Sequence, residues 1–264
     1  MNIAVCLKQV PHPDYLSKIL YDPATNRLRR EGIPLIINPV DRNAIEAGIQ
    51  LKEKFSGKVI VITMGPPQAK EALEEALAMG ADEAILLCDS SFAGADTYAT
   101  AYALARVLTK TGHYDLVLCG NETIDSGTAQ VGPQIAEFLD IPHVTNVKTM
   151  NYYEEGLLLV ERSLEDGYMK LKVGLPALLT VNKEINKPRI PSVVGIMQVA
   201  EKPLRKFGLA ELNLSLAEVG LTGSPTQTIE ITETEQKYSG EVLYGEPVQV
   251  VKTLVARLRD LQVL

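Results

Sequence analysis

Gly120, Asn121, Glu122, Thr123, Ile124, Asp125, Ser126, Gly127, Thr128, Ala129, Gln130, Val131 and Gly132 form the stretch best suited to hold an anion. The apolar run Leu116-Val117-Leu118-Cys119 precedes them as a buried strand, and a helix is expected to begin near Ser126 to Thr128. Backbone N–H groups at a helix start lack intrahelical partners, and the helix dipole favours negative charge beside them. Gly120 and Gly127 let a phosphate approach the main chain, and Ser126 and Thr128 carry hydroxyls that can donate to anionic oxygens. The same pattern also describes an ordinary βα loop with a polar cap, and the loop by itself does not choose between the two.

Other chemistries lack their residues. No G-x-G-x-x-G follows a strand, no Walker A sequence occurs, and no G-x-S-x-G elbow is present. Cys6, Cys88 and Cys119 lie far apart in apolar runs, without a C-x-x-C, and read as buried thiols. His12, His113 and His143 have no metal-ligand spacing. With no evident acid, base or nucleophile, the pattern favours a protein that holds a cofactor and leaves the chemistry to it.

The elements that position the loop alternate through the first half. Apolar runs at Ile3 to Leu7, Lys58 to Thr63, Glu83 to Cys88 and Asp115 to Cys119 suit strands covered on both faces. Between them lie helical patterns. Asn43 to Phe55 has Asn43 and Glu46 at capping-box spacing. Pro67 to Met79 ends at Gly80, and Asp96 to Thr109 has Asp96 or Thr97 as cap. Repeated βαβ units predict an α/β fold with a doubly wound, mostly parallel sheet of the adenine-nucleotide-binding type, its ligand outside the carboxyl ends of the strands.

The second half changes character. Leu157 to Arg162 and Tyr168 to Val173 flank an Asp166-Gly167 turn and predict a hairpin addition; Leu175 to Val181 returns as a buried strand. Residues 221 to 247 are polar, and Val248 to Leu261 has helical spacing of apolar residues. The expected division is a nucleotide-binding domain over 1–222 and an arm with an amphipathic helix over 223–264. The arm either folds back on its own domain or reaches a partner.

The 264 residues are 46% hydrophobic and 22% charged, enough for a full core. A net charge of −7 argues against nucleic-acid binding. No apolar run reaches bilayer length, and Met1 to Val5 lacks the basic segment of a secretory leader, which predicts a cytoplasmic chain with no membrane insertion.

The chain resembles the β subunit of electron transfer flavoproteins along nearly its whole length. The resemblance runs through Ala4 to Pro11, Ile37-Asn38-Pro39-Val40-Asp41, Met64-Gly65-Pro66, Ala76 to Asp82 and Gly120 to Pro133. It continues through Val160 to Thr180, with Arg162, Glu165-Asp166-Gly167, Pro176 and Leu178-Leu179-Thr180, then Asn186 to Ser192, Gly195-Ile196-Met197 and Gly220 to Pro225. Lys170 departs from the pattern, which usually has an acidic or amide residue near that point.

The resemblance implies a heterodimer with an α subunit that carries a flavin, and an adenine nucleotide in this chain. Thr128 to Pro133 is similar to the electron-bifurcating branch, implying FAD here and NADH as transient substrate, with AMP as the alternative. By the resemblance, Cys6 and Asn38 to Asp41 surround the adenosine, Met64 and Gly65 line the pocket, and Gly120 to Val131 wrap the ribose and phosphates. Asp125 is expected to cap the helix or touch a hydroxyl. Pro191 to Pro203 aligns with the loop that meets a flavin-dependent dehydrogenase, through Val193, Ile196 and Met197. Gln198 to Lys202 lacks that loop's basic tail, which counts against a typical acyl-CoA dehydrogenase partner. No side chain is assigned a catalytic role, and NADH oxidation is expected only within the complex. The rival reading is a non-redox ATP- or AMP-binding protein of the same fold.

Overall fold

The apolar runs assemble into one large sheet. In the computed structural model, which describes residues 1–18, 20–22, 27–29, 32–154, 156–229 and 240–264, the strands are β1 (Asn2–Cys6), β2 (Gln9–Pro11), β3 (Leu20–Asp22), β4 (Arg27–Arg29), β5 (Leu35–Ile37), β6 (Lys58–Met64), β7 (Glu83–Leu87), β8 (Leu116–Gly120), β9 (His143–Glu154), β10 (Leu157–Leu164), β11 (Gly167–Gly174), β12 (Ala177–Val181) and β13 (Leu204–Phe207). The helices are α1 (Pro39–Phe55), α2 (Lys70–Met79), α3 (Thr97–Thr111), α4 (Val131–Leu139), α5 (Val193–Met197) and α6 (Pro247–Asp260).

The nine-stranded sheet has the order β11-β10-β9-β12-β8-β1-β6-β7-β13. From β9 to β13 in that order neighbours run parallel, and β10 and β11 extend the sheet antiparallel. This is the expected α/β doubly wound architecture. Alternate side chains of each central strand feed opposite layers. Ile3, Val5, Val61 and Leu118 pack with α1 and α2, whereas Ala4, Cys6, Ile62 and Cys119 pack with α3 and α4. Each fully buried Ile or Leu contributes about 1.5–3 kcal/mol.

The chain passes from β1 to β6 and β7 on one side, then crosses through α3 to β8 on the other side of β1. The strand order therefore reverses between β1 and β8, and ligands of open α/β sheets bind at the carboxyl ends there.

Three expectations need adjustment. α1 begins at Pro39, four residues before Asn43, because Pro39 occupies the first helical turn with Asn38 ahead of it. The Asn43–Glu46 capping box does not form; both side chains point to residues 143 positions away. The Pro67 helix opens as a 3-10 turn, Pro67–Ala69, before α2. The hairpin forms as expected, with Leu164 opposite Gly167. β9 and β13 join the sheet without having been read from the sequence.

The described residues form two compact units, Met1–Thr228 and Ile229–Leu264. In the second, α6 starts with Pro247 and carries Arg257 and Arg259 in its last turn, where cations favour the helix dipole. Val248, Val251 and Leu254 are exposed along it.

Candidate nucleotide site at the strand reversal

A buried carboxylate joins the two strands at the reversal. Asp41, in the first turn of α1, accepts from the Lys8 amide at 2.8 Å through Oδ2 and from the Gly120 amide at 2.9 Å through Oδ1. It is 4% exposed. Burial pushes its carboxyl up to about 7, against the pull of those two amides and of Asn38. Gly120 is glycine for this reason: a Cβ there would occupy the place of the Asp41 carboxylate. The close approach at Gly120 therefore serves an internal contact.

Asn38, fully buried, ties the following loop to α1. Its Nδ2 donates to the Glu122 carbonyl at 2.9 Å, its Oδ1 accepts from the Ile124 amide at 3.2 Å, and its own amide donates to the Lys8 carbonyl at 2.9 Å. The Asn121 amide donates to the Val181 carbonyl at 2.8 Å, and its Oδ1 accepts from Thr180 Oγ1 at 3.1 Å. Pro39 and Val40 complete the start of α1 beside these groups.

Further along, Asp125 turns inward. Its side chain is 3% exposed and meets Lys8 Nζ at 2.8 Å. Ser126 Oγ donates to Asp125 Oδ1 at 3.2 Å, accepts from Lys8 Nζ at 3.2 Å, and lies 2.8 Å from Thr123 Oγ1. Asp125 is thus held inside the chain by Lys8 and Ser126, and α4 has no side-chain cap. The Gly127 amide returns to the Thr123 carbonyl at 2.8 Å.

The helix begins later than the sequence suggested. α4 starts at Val131, because Gly127 (φ 57°) and Ala129 (φ 53°) are left-handed and interrupt any helix through Ser126 to Thr128. Gln130 then adopts right-handed dihedrals ahead of α4, with no side-chain cap. Among the described residues, the N–H groups of Thr128, Ala129, Gln130, Val131 and Gly132 make no hydrogen bond. A left-handed residue followed by a right-handed one turns successive amides to one side, forming an anion-binding concavity. At Gly132 a Cβ would run into Thr180, so the glycine brings α4 close to β12. These amides, with the α4 N-terminus behind them, fit a phosphate group.

Cys6 and Cys119 face each other across β1 and β8 on the α3 and α4 side. Cys6 beside it, together with burial, holds the Cys119 thiol well above its ordinary range, so it stays protonated and unreactive. Met64 ends β6, and the Gly65 amide donates to the Leu87 carbonyl at 3.0 Å. Cys6, Met64, Gly65 and Gly120 to Val131 thus sit at the carboxyl ends of the central strands or in the segments leaving them, and Asn38 to Asp41, which follow β5 of the small β2-β5 sheet, join them through the hydrogen bonds of Asn38 and Asp41. Three contributors were not assigned to the site from sequence: Lys8, Thr180 and Thr97, whose hydroxyl donates to Gln130 Oε1 at 3.0 Å. The available signal for Lys8 was its place just past the carboxyl end of a central strand.

Val193, Ile196 and Met197 lie on α5, which packs on α2. Ser192 caps this helix by accepting from the Gly195 amide at 3.0 Å, and a Cβ at Gly195 would collide with the Ala78 carbonyl. Close seating by Gly195 leaves Val193 75% and Met197 74% exposed, with Ile190, Val194 and Ile196 also open. The segment is anchored at both ends. Arg189 bonds Glu46 through Nε at 2.8 Å and Glu53 through Nη1 at 2.6 Å, and these two carboxylates raise the guanidinium pKa further. Lys202 Nζ donates to the Leu77 and Ala81 carbonyls at 2.7 and 2.8 Å.

A family model described as "Electron transfer flavoprotein domain" matches residues 25–212. The chain is 50% identical to the electron transfer flavoprotein subunit beta of Thermoanaerobacterium thermosaccharolyticum, over 100% of both chains. It is 46% identical to the caffeyl-CoA reductase-Etf complex subunit CarD of Acetobacterium woodii, again over 100% of both. It is 44% identical to the electron transfer flavoprotein subunit beta of Clostridium acetobutylicum, over 98% of each chain.

Proposed function

The chain belongs to the electron transfer flavoprotein family as a β subunit, and we propose that it holds FAD at the reversal between β1 and β8 and works in electron bifurcation with an α subunit. The observation that carries the nucleotide reading is the run of unpaired amides from Thr128 to Gly132. Asn38 and Asp41 hold the crevice in shape; Cys6, Met64 and Gly65 line its adenosine end; Thr128 to Val131 face the phosphates. FAD, when bound, supplies hydride acceptance from NADH and release of electrons one at a time. The chain's own work is to bind, orient and screen that group, and none of its side chains acts as a nucleophile.

AMP is the second reading, because main-chain amides recognise a phosphate whatever group it carries on its far side. The preference for FAD rests on the resemblance of Thr128 to Pro133 to the bifurcating branch. The relationship to CarD, named as a subunit of a caffeyl-CoA reductase-Etf complex, supports a flavin-dependent dehydrogenase or reductase as second partner. In this proposal Val193, Ile196 and Met197 form its apolar contact, and residues 223–264 form the arm that contacts the α subunit. No described helix is long and apolar enough to cross a membrane, and we assign the complex to the cytoplasm.

The test is the native heterodimer, purified with its α subunit and analysed by absorbance and by chromatography of the acid-released nucleotides. Two flavins per heterodimer support the proposal. One flavin with one AMP supports the ordinary carrier. Absence of any adenine nucleotide from this chain overturns both.

A further inference from the structure

The hydrogen bonds that seat the end of the first unit converge on the same dipeptide that holds the anion loop. Asp96 caps α3, its Oδ1 accepting from the Ala99 amide at 3.0 Å. Its Oδ2 accepts from the Thr226 amide at 3.0 Å and from Thr226 Oγ1 at 2.7 Å. The Asp96 amide donates to Ser224 Oγ at 2.8 Å, and that hydroxyl donates to the Gly220 carbonyl at 2.7 Å. Further along α3, Tyr102 donates to Glu218 at 2.7 Å. The next residue after Asp96 is Thr97, which donates to Gln130 at 3.0 Å, at the point where the unpaired amides enter α4.

We propose that Asp96 is a positioning residue that couples the anion loop to the seating of residues 220–226, the stretch from which the chain continues into its second unit. An anion on the Thr128 to Gly132 amides orders Gln130. The ordered Gln130 fixes Thr97 and the first turn of α3. Asp96 and Thr97 share a peptide unit, so fixing one orients the carboxylate of the other toward Thr226. Burial raises the Asp96 carboxyl, but bonds from Ala99 and Thr226 outweigh it and keep the group charged, and bonds to a charged acceptor are the stronger kind. Coupling of this kind is reciprocal: seating of 220–226 favours the binding-ready loop as much as an anion favours the seating. The inference rests on the nucleotide reading above and adds a regulation to it.

The experiment uses the nucleotide-stripped heterodimer and AMP as probe, by calorimetry. Loss of one hydrogen bond of ordinary strength in Thr97→Val raises Kd about five-fold. The pair Ser224→Ala with Thr226→Val does the same, although neither residue lies in the anion loop. The triple variant stays at about five-fold, because the three act as one unit; an additive result of about 25-fold, or no effect of the 224/226 pair, overturns the proposal. Thr97→Ser and Thr226→Ser keep their hydroxyls and restore affinity. Hydrogen exchange on the nucleotide-free complex gives a separate reading. The 224/226 pair speeds exchange of the Gln134 amide, which bonds Gln130 at 3.1 Å, and Thr97→Val speeds that of the Thr226 amide. Unchanged exchange refutes the coupling. Cross-propagating exchange without AMP or FAD binding upholds it and removes the nucleotide reading instead.

Discussion

Replacing Asp41 by Asn keeps the shape of the side chain and removes the ionisable group between β1 and β8. The Asp41 carboxyl moves from 3.8 to about 7 because it is buried. An acid raised in this way keeps its proton in the folded chain after the unfolded chain has lost it. Its contribution to stability is therefore full below pH 3.8, declines as pH rises, and is gone above about pH 7. A gap of about three pKa units at about 1.4 kcal/mol each gives a total of about 4 kcal/mol, of which about 2 kcal/mol falls between about pH 5.5 and about pH 8. Asn lacks that dependence. It also offers one acceptor oxygen where the Lys8 and Gly120 amides need two, which costs about 1–3 kcal/mol for the amide left unpaired. The variant is thus clearly weaker than the wild type at about pH 5.5 and closes the gap by about 2 kcal/mol at about pH 8. Urea unfolding followed by circular dichroism, with both chains at each pH and matched slopes, measures the difference. Because other titrating groups are common to both proteins, they cancel. Parallel pH profiles for the two chains would refute the assignment of a raised pKa to Asp41.

Gly120→Ala puts a Cβ where the Asp41 carboxylate lies and is expected to cost about 2–3 kcal/mol, seen as a lower thermal midpoint and loss of nucleotide from the purified heterodimer. Val193→Asp and Met197→Asp alter exposed positions. They should change stability by less than about 0.5 kcal/mol while weakening dehydrogenase binding at least about ten-fold, measured by stopped-flow electron transfer against dehydrogenase concentration.

Much of the architecture was legible because the central strands are continuous apolar runs and the helices between them carry clear punctuation. Asp96 caps α3 and Gly80 closes α2, as their types suggested. Two of the misreadings share one cause: polar residues with locally familiar spacing serve distant partners. Asn43 and Glu46 resemble a helix start, yet they bind Asn186 and Arg189. Asp125 and Ser126 resemble caps, yet Lys8 draws both toward β1. β9 escaped notice because Thr145, Asn146, Lys148, Thr149 and Asn151 dilute its apolar pattern. β13 is a four-residue edge strand with two basic residues, too short for periodicity to register. The candidate site was found from the loop's composition, but its scaffold of Asp41, Lys8 and Thr180 depends on contacts that no local window contains.

α1 serves two clients. Its start supplies Asn38, just ahead of the helix, and Asp41, in the first turn, to the strand reversal, and Glu46 and Glu53, farther along, clasp Arg189 at the root of the exposed apolar turn. The interval between them is set by helical pitch, a rigid gauge held by backbone hydrogen bonds. One residue inserted between Asn43 and Glu46 would swing both glutamates through about 100° and advance them about 1.5 Å. Substitutions on the solvent side of this helix should be tolerated freely, whereas its length is locked by having to keep both appointments at once.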